Sequence, residues 1–499
     1  MTISSASEVA STPDFDVLII GAGLSGIGAG YLLAKQCPDK SFAILEARQA
    51  IGGTWDLFRY PGIRSDSDMY TLSYSFKPWR GRKSIVDGPD IKRYIEDVAR
   101  EGGLNQHIRF GERVVSAAWC SKTQRWTLDV ERTDPQGQTH KDSLSCRFLY
   151  LGAGYYSYAE GYRPTFPGEE NYRGTFVHPQ FWPENLDYAG KRVVVIGSGA
   201  TAVTLIPSLA EKAAHVTMLQ RSPSYVANRP AVDRIAHGLQ RVLPAPLAHG
   251  LTRWKNVLEG AFYYRIAKRR PELFKKRLLQ MASAELGPDF DMRHFTPDYK
   301  PWDQRVCAVP DGDLFRDLRE GRASVVTDTI AGFSADAIQL ASGDSLPADI
   351  VITATGLKLN SLGDIAFTVD GEAVEASQCM AYKGMMLSEL PNCLLAFGYV
   401  NSSWTLKAEL TAGYLCRLLN FMDSHGYAVA QAPRDPSVPE QPFLSFTSGY
   451  VQRAAHMLPK QGARRPWQVY QNYMQDMLTI RYSRIDDGVL RFQSYGDEK

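Results

Sequence analysis

The chain has 499 residues, enough for more than one domain with its own core. Apolar residues make up 44% and charged residues 22%, an ordinary globular balance, and a net charge of +2 gives nucleic acid no electrostatic reason to bind. The seven cysteines are odd in number and form no CxxC pair, which fits reduced thiols in a cytoplasm rather than a disulfide framework.

Residues 1–14 read as a polar, flexible tail without the apolar stretch of a signal peptide. No run of 18 apolar residues occurs, so no membrane span is expected. FDVLII at 15–20 predicts a buried strand feeding the glycine turn GAGLSG. A helix over 24–35 stops before Pro38, and a second strand covers 41–45. Together these form a βαβ opening of the doubly wound type. Between 110 and 150, ERVVSAAW, RWTLDVER and SLSCRFLYL are parted by KTQ and DPQGQ, which predicts a β-meander. A second βαβ opening follows at 191–222. The pattern turns helical over 225–304, returns to strands in ASVVTDTIAGF and DIVITATGL, and predicts a long helix over 404–422. The last 75 residues are irregular and rich in proline and aromatics.

The two glycine turns carry the first functional signal. Gly21, Gly23 and Gly26 follow a strand and open a helix, and Glu46 ends the next strand 20 residues past Gly26. Gly21 permits the tight turn, Gly23 lets backbone approach a pyrophosphate, and Gly26 lets helix and strand pack closely. Glu46 offers acceptors to a ribose diol. The second set, GSGATA, places Gly197, Gly199 and Ala202 in the same roles, with Thr201 on the helix start. The strand after it ends in Gln220, Arg221 and Ser222, so an arginine stands where Glu46 stands in the first site. A carboxylate repels a 2′-phosphate, whereas a guanidinium fork binds it. The second site is therefore expected to prefer NADPH, and the pair of sites fits FAD plus NADPH. LGAG at 151–154 and ATG at 354–356 are the expected crossovers out of and back to the flavin part. The fold class is α/β, with two Rossmann-like domains, a meander and a helical insertion. The expected division is 15–160 and 351–499 for FAD, 161–190 as linker, 191–224 and 305–350 for NADPH, and 225–304 as insertion.

Disulfide reductases share a two-nucleotide plan but need a cysteine pair beside the flavin, and none is present. GGTWDLFRYPGIRSDSD at 52–68 and YRGTFVHPQFWP at 172–183 decide more. Gly53, Trp55, Tyr60, Pro61, Gly62 and Asp66 resemble one fingerprint of the Baeyer–Villiger monooxygenases. Gly174, His178, Trp182 and Pro183 resemble the other, FxGxxxHxxxW, with Tyr172 where that family has Phe. The related flavin-containing and N-hydroxylating monooxygenases carry Tyr or Phe in place of Trp182. GIRSDSDMYTL, PWDQR, GSGATAVTL, MAYKGMML and SWTLKAEL look like the subgroup of the ethionamide-activating monooxygenase.

The resemblance implies an enzyme that passes hydride from NADPH to FAD, activates O2 and inserts one oxygen atom beside a ketone carbonyl to give an ester or lactone. Sulfoxidation of thioethers is an implied second activity. It implies Gly53, Thr54, Trp55, Asp66, Tyr70, Thr355 and Gly356 as further FAD contacts and Ser222 as an NADPH contact. It implies Arg305, in PWDQR, as the active-site arginine, held by Asp66. Arg64 competes for that partnership and Asp68 competes with Asp66. A unit charge pair at about 4 Å is worth about 4 kcal/mol at an effective dielectric near 20, or about a thousandfold in rate. The 172–183 segment, with His178, is expected to join the two nucleotide domains and transmit motion between them. Trp404 and the 440–450 loop are expected at the substrate pocket. Two other readings stand beside this one: a flavin-dependent N- or S-hydroxylating enzyme without Baeyer–Villiger activity, and a non-catalytic nucleotide sensor. The basic segment YYRIAKRRPELFKKRL at 263–278 reads either as a solvated helix face or as a contact with an anionic membrane surface. Spacing sets neither the substrate nor the oligomeric state, and no metal site is expected.

Overall fold

Val17, Leu18, Ile19 and Ile20 are all apolar, so strand Phe15–Ile20 needs cover on both faces and sits inside a parallel sheet. The computed structural model describes residues 12–134 and 136–496. Residues 1–11 of the expected tail lie outside them. At its inner end, Asp14 accepts hydrogen bonds from the backbone and hydroxyl of Ser145.

Phe15–Ile20 runs parallel to Phe42–Glu46 on one side and to Thr139–Leu151 on the other. That third strand serves two structures. Thr139–Cys146 closes the antiparallel meander Glu112–Cys120, Arg125–Thr133, Thr139–Leu151, while Cys146–Leu151 pairs with the N-terminal strand. The meander is thus built directly onto the first βαβ unit in one nine-stranded sheet.

The second sheet has five strands, all parallel: Ala323–Thr327, His215–Gln220, Arg192–Ile196, Ile350–Thr353 and Thr175–Val177, in that order. The order reverses at Arg192–Ile196, which opens a crevice at its carboxyl end. Two expected boundaries move. Ile350–Thr353 pairs in register with Val193–Ile196, so a boundary at 351 falls inside this sheet and the chain leaves it only after Thr353. Thr175–Val177, within the expected linker, is the edge strand of the same sheet.

The insertion comprises Arg234–Val242, Ala245–Arg269 and Pro271–Leu286. Val226–Arg229 before it and Cys307–Pro310 after it pair in parallel, so its two ends are fastened together. This fastening sets Arg305 two residues ahead of a strand.

Trp404–His425 packs along Leu24–Gln36 and carries an unusual buried cation. Lys407 and Asp476 lie 2.9 Å apart with both side chains 2% exposed. Lys407 also donates to the Lys383 carbonyl, and Asp476 accepts from the Tyr399 hydroxyl at 2.6 Å. Burial pulls Lys407 down and Asp476 up from their ordinary values. These hydrogen bonds are what keep so costly a pair in place. We expect Asp476→Ala to lose about 3–5 kcal/mol, because it strands a buried ammonium. A large drop in melting temperature measures this, and the double variant Lys407→Met/Asp476→Leu should recover most of it.

Candidate active site

Each glycine turn delivers a helix with an open N-terminus. Gly23 caps Leu24–Gln36 and Gly199 caps Ala200–Ala210. Neither cap has a side-chain hydrogen bond, and neither first turn has an acidic residue. The leading N–H groups of both helices are left for an outside acceptor, and phosphate suits that position. Gly21 has φ +96°, and a Cβ there would lie 2.9 Å from the Gly152 carbonyl oxygen. Gly197 has φ +136° and faces the Ala354 carbonyl in the same way. LGAG therefore braces the first turn, and ATG braces the second. A Cβ on Gly26 would drive into the Gly21 carbonyl, so this glycine serves packing, as does Ala202, which is fully buried.

A cavity of about 460 Å³ runs between the turns. Gly21 and Gly23 line one end, and Ala200, Thr201 and Thr204 line the other. Gly53, Thr54 and Trp55 border it as well, and Gly53 has φ +55° with its Cα against Gly23. Glu46 borders it too and is 5% exposed. Its carboxyl accepts from Ala22 N–H at 2.7 Å and Arg48 N–H at 2.9 Å, while burial raises its pKa. A carboxylate has about four acceptor positions, so capacity remains toward the cavity.

Arg305 and Asp66 meet in the cavity wall at 3.4 Å. Asp66, ahead of the cost of burial, raises the arginine further above its ordinary value, so its charge is permanent. The rival partners are engaged elsewhere. Arg64 pairs with Asp313 at 2.6 Å. Asp68 caps Met69–Leu72 by accepting from Thr71 and also accepts from Asn256. The turn before Arg305 is pinned from two sides. Lys268 donates to the Trp302 carbonyl and pairs with Asp303, and Thr447 donates to the Asp303 carbonyl.

Three tyrosines that sequence reading missed share this wall. Tyr155 and Tyr156 have hydroxyls 2.6 Å apart, and Tyr155 stacks on Trp404 with centroids 5.0 Å apart. Tyr158 joins them. Burial raises all three hydroxyls, so they stay protonated. The only signal was their place directly after LGAG, at the carboxyl end of a strand where ligand crevices form. Trp404 borders the cavity and donates to Ser25. The 440–450 loop does not border it, although Tyr450 lies within electrostatic reach of Arg305.

Several expected site residues do not line this cavity. Tyr70 is 1% exposed and turned toward the insertion, where its hydroxyl accepts from Gln240 and its ring meets His249. Thr355 donates to the Tyr162 carbonyl beside the second turn, with Gly356 next to Arg453. Arg221 and Ser222 are exposed past the end of His215–Gln220. Arg221 has no ion pair among the described residues, and the Ser222 carbonyl accepts from Ser198. The 172–183 segment stays outside the cavity. Tyr172 donates to the Ala348 carbonyl, and Gly174 leaves room for its ring. His178 Nδ1 accepts from Gln180 N–H, and burial lowers its pKa. Trp182 lies edge-on to Tyr188, next to Pro183. Among the described residues no His, Cys, Asp or Glu cluster could hold a metal.

A cavity spanning two open helix ends, one on the mixed nine-stranded sheet and one on the parallel five-stranded sheet, defines a two-dinucleotide oxidoreductase. All seven cysteines are free thiols in the structure. A profile for pyridine nucleotide-disulphide oxidoreductases matches residues 18–236. The FAD-containing monooxygenase EthA of Mycobacterium tuberculosis is 52% identical over 484 residues, covering 96% of this chain and 98% of its own. The probable FAD-binding monooxygenase AlmA of Acinetobacter baylyi is 46% identical, covering 97% of each. An oxidized steroid monooxygenase bound to NADP superposes with a TM-score of 0.76 at 22% identity, covering 96% of this chain and 99% of that one. A cyclohexanone monooxygenase in an open crystal structure gives 0.73 at 19%, covering 97% and 100%. The chain belongs to the family of FAD-containing monooxygenases that includes EthA and AlmA.

The glycines separate fold from site. Gly26→Ala should lower the melting temperature sharply or abolish soluble protein. A Cβ on Gly23 would meet only ordinary contact, 3.5 Å from Gly53. Gly23→Ala should therefore melt like wild type while retaining less flavin on gel filtration, read from absorbance.

Proposed function

We propose that the protein is a monooxygenase that uses FAD, NADPH and O2 to insert one oxygen atom beside a ketone carbonyl, and that it also oxidises thioethers at sulfur. The observation that carries this reading is the Arg305–Asp66 pair, set in the wall of a cavity that reaches two open helix ends. The first turn fits FAD. The uncapped N–H groups behind Gly21 and Gly23 take the pyrophosphate, Glu46 takes the ribose, and Gly53, Thr54 and Trp55 lie along the path to the ring. The residues behind Gly197 and Gly199, with Thr201, take the phosphates of NADPH, and Arg221, with Ser222 beside it, takes its 2′-phosphate. We assign 15–160 with 354–496 to the flavin and 175–177, 191–224 and 305–353 to NADPH. Bound in these places, FAD supplies hydride uptake from NADPH and the activation of O2.

The chain supplies the electrostatics. Adding oxygen to a carbonyl leaves negative charge on oxygen before carbon migrates. Arg305 is a fixed cation for that charge, and Asp66 keeps it aimed. Tyr155 and Tyr156 add neutral hydroxyl donors at the same wall. The free thiols fit a cytoplasmic enzyme, and the basic insertion fits one that touches a membrane surface.

We expect Arg305→Ala to take up hydride from NADPH at near the wild-type rate and to lose ester formation by at least about a hundredfold. That is below the full Coulomb figure because the side chain is 35% exposed. Normal ester yield would remove Arg305 from the reaction. Sulfide turnover without ketone turnover in the wild type would favour the hydroxylating reading, and no substrate-stimulated NADPH oxidation would favour the sensor.

Arg221→Ala should raise the KM for NADPH at least about tenfold and leave that for NADH nearly unchanged. Equal effects would place the 2′-phosphate elsewhere.

A further inference from the structure

Helix Ala245–Arg269 is built inside out. Its buried positions are Ala248, His249, Thr252, Arg253, Val257 and Ala267, mostly small or polar. Its large apolar side chains face outward: Leu247 is 51% exposed, Leu251 47%, Trp254 38%, Leu258 53% and Phe262 60%. At about 100° per residue these five fall within about 80° of arc, and they span about 22 Å of axis. Arg265 and Arg269 continue the same arc beyond Phe262. The stripe is not isolated. Ile235 and Val242, seven residues apart on the adjoining helix, are 60% and 75% exposed. At the other side Trp254 packs on Tyr473, next to Met474, and Leu478 and Tyr482 follow at intervals of four. A contiguous apolar face of this kind marks an interaction site.

Charge selects the partner. Residues 234–286 carry eleven Lys and Arg against three Glu, in a chain whose net charge is only +2. Lys255 and Lys268 are committed to Asp233 and Asp303. Arg265, Arg269, Arg270, Lys276 and Arg277 have no ion pair among the described residues. A second copy docking through the same region would offer these cations little counter-charge, since 234–286 holds only three Glu. An anionic surface meets them favourably. No helix of the described residues is long and apolar enough to cross a bilayer, so the element would lie on one.

We propose that the 247–262 stripe and its arginine rim dock the enzyme on an anionic lipid bilayer, and that the cavity draws its apolar substrates from that bilayer. The substrate clause rests on the monooxygenase reading, whereas the docking does not. The helix is suited to join the two. On its inner side Val257 packs with Tyr399 and Leu406, and Tyr399 is cavity wall. At its end Lys268 pins the turn that carries Arg305.

The test uses the full-length protein and vesicles of phosphatidylcholine with 0 or about 30% phosphatidylglycerol. Wild type should co-sediment with the anionic vesicles, less so at high salt. Leu251→Glu/Leu258→Glu should bind at least tenfold more weakly, with unchanged melting temperature and unchanged NADPH oxidation on a water-soluble ketone. Arg265→Glu/Arg269→Glu should lose the salt-sensitive part alone. Should the Leu variant misfold, quenching of wild-type fluorescence by brominated phosphatidylcholine, diminished in Trp254→Phe, reports insertion independently. Absence of binding, equal binding by wild type and both variants, or a stable dimer in solution that Leu251→Glu/Leu258→Glu dissociates would overturn the docking. Normal docking in a protein without ketone or sulfide turnover would overturn only the substrate clause.

Discussion

An arginine in the wall of this cavity must be kept charged, aimed and within reach of both nucleotide turns, and the contact between Arg305 and Asp66 meets that constraint. Asp66 comes from the loop between the short helices Thr54–Leu57 and Met69–Leu72, and Arg305 comes from the end of the helical insertion, so the pair forms only when these parts close on each other. Each partner is freed for the other by a separate device. The rival Arg64 is bound to Asp313, and the rival Asp68 is spent on a helix cap. The pairing is therefore specific although four charged groups crowd one short segment and its surroundings.

The scaffold explains why this contact can be held to one geometry. Thr139–Leu151 belongs to the meander by its first half and to the parallel pairing by its second, so LGAG and its tyrosines leave the strand's carboxyl end in fixed register. Tyr155 then stacks on Trp404, the first residue of a helix whose Lys407 is buried against Asp476. Asp476 in turn holds Tyr399 on the cavity wall. The far C-terminal segment thus contributes to the site through one buried ion pair, and its cost in desolvation is offset by fixing where that wall stands.

Much of this was legible in the sequence because backbone requirements leave residue-level marks. Gly21, Gly26 and Gly197 stand where a side chain would strike a carbonyl, and the strand–turn–helix order around them could be read directly. Asp66 and Arg305 were legible only through fingerprint spacing, since 239 positions separate them and neither has a local pattern. Tyr70, Thr355 and Gly356 do not line the cavity, although each is a neighbour in sequence of a cavity residue or a glycine turn. For Tyr70 and Thr355 the side chain is turned to other partners, Gln240 and the Tyr162 carbonyl, and direction rather than proximity decides what lines a wall. The boundary at 351 failed similarly, because IVIT is equally apolar whichever sheet it joins.

Helix Ala245–Arg269 shows the limit of periodicity itself. Apolar residues at 247, 251, 254, 258 and 262 give the 3.6-residue signature of a helix with one greasy face. That signature states that the face exists, not which way it points. In a chain of this size the default is inward, and the basic run at its end draws attention to charge instead. Only the positions opposite the stripe could have reversed the reading. Ala248, Thr252 and Asn256 are too small or polar to make a core, yet Arg253 is buried there because it donates to the carbonyls of Tyr70, Thr71 and Ser73 and pairs with Glu409. A polar network on the inside and leucines on the outside is the arrangement expected where the surrounding medium is itself apolar.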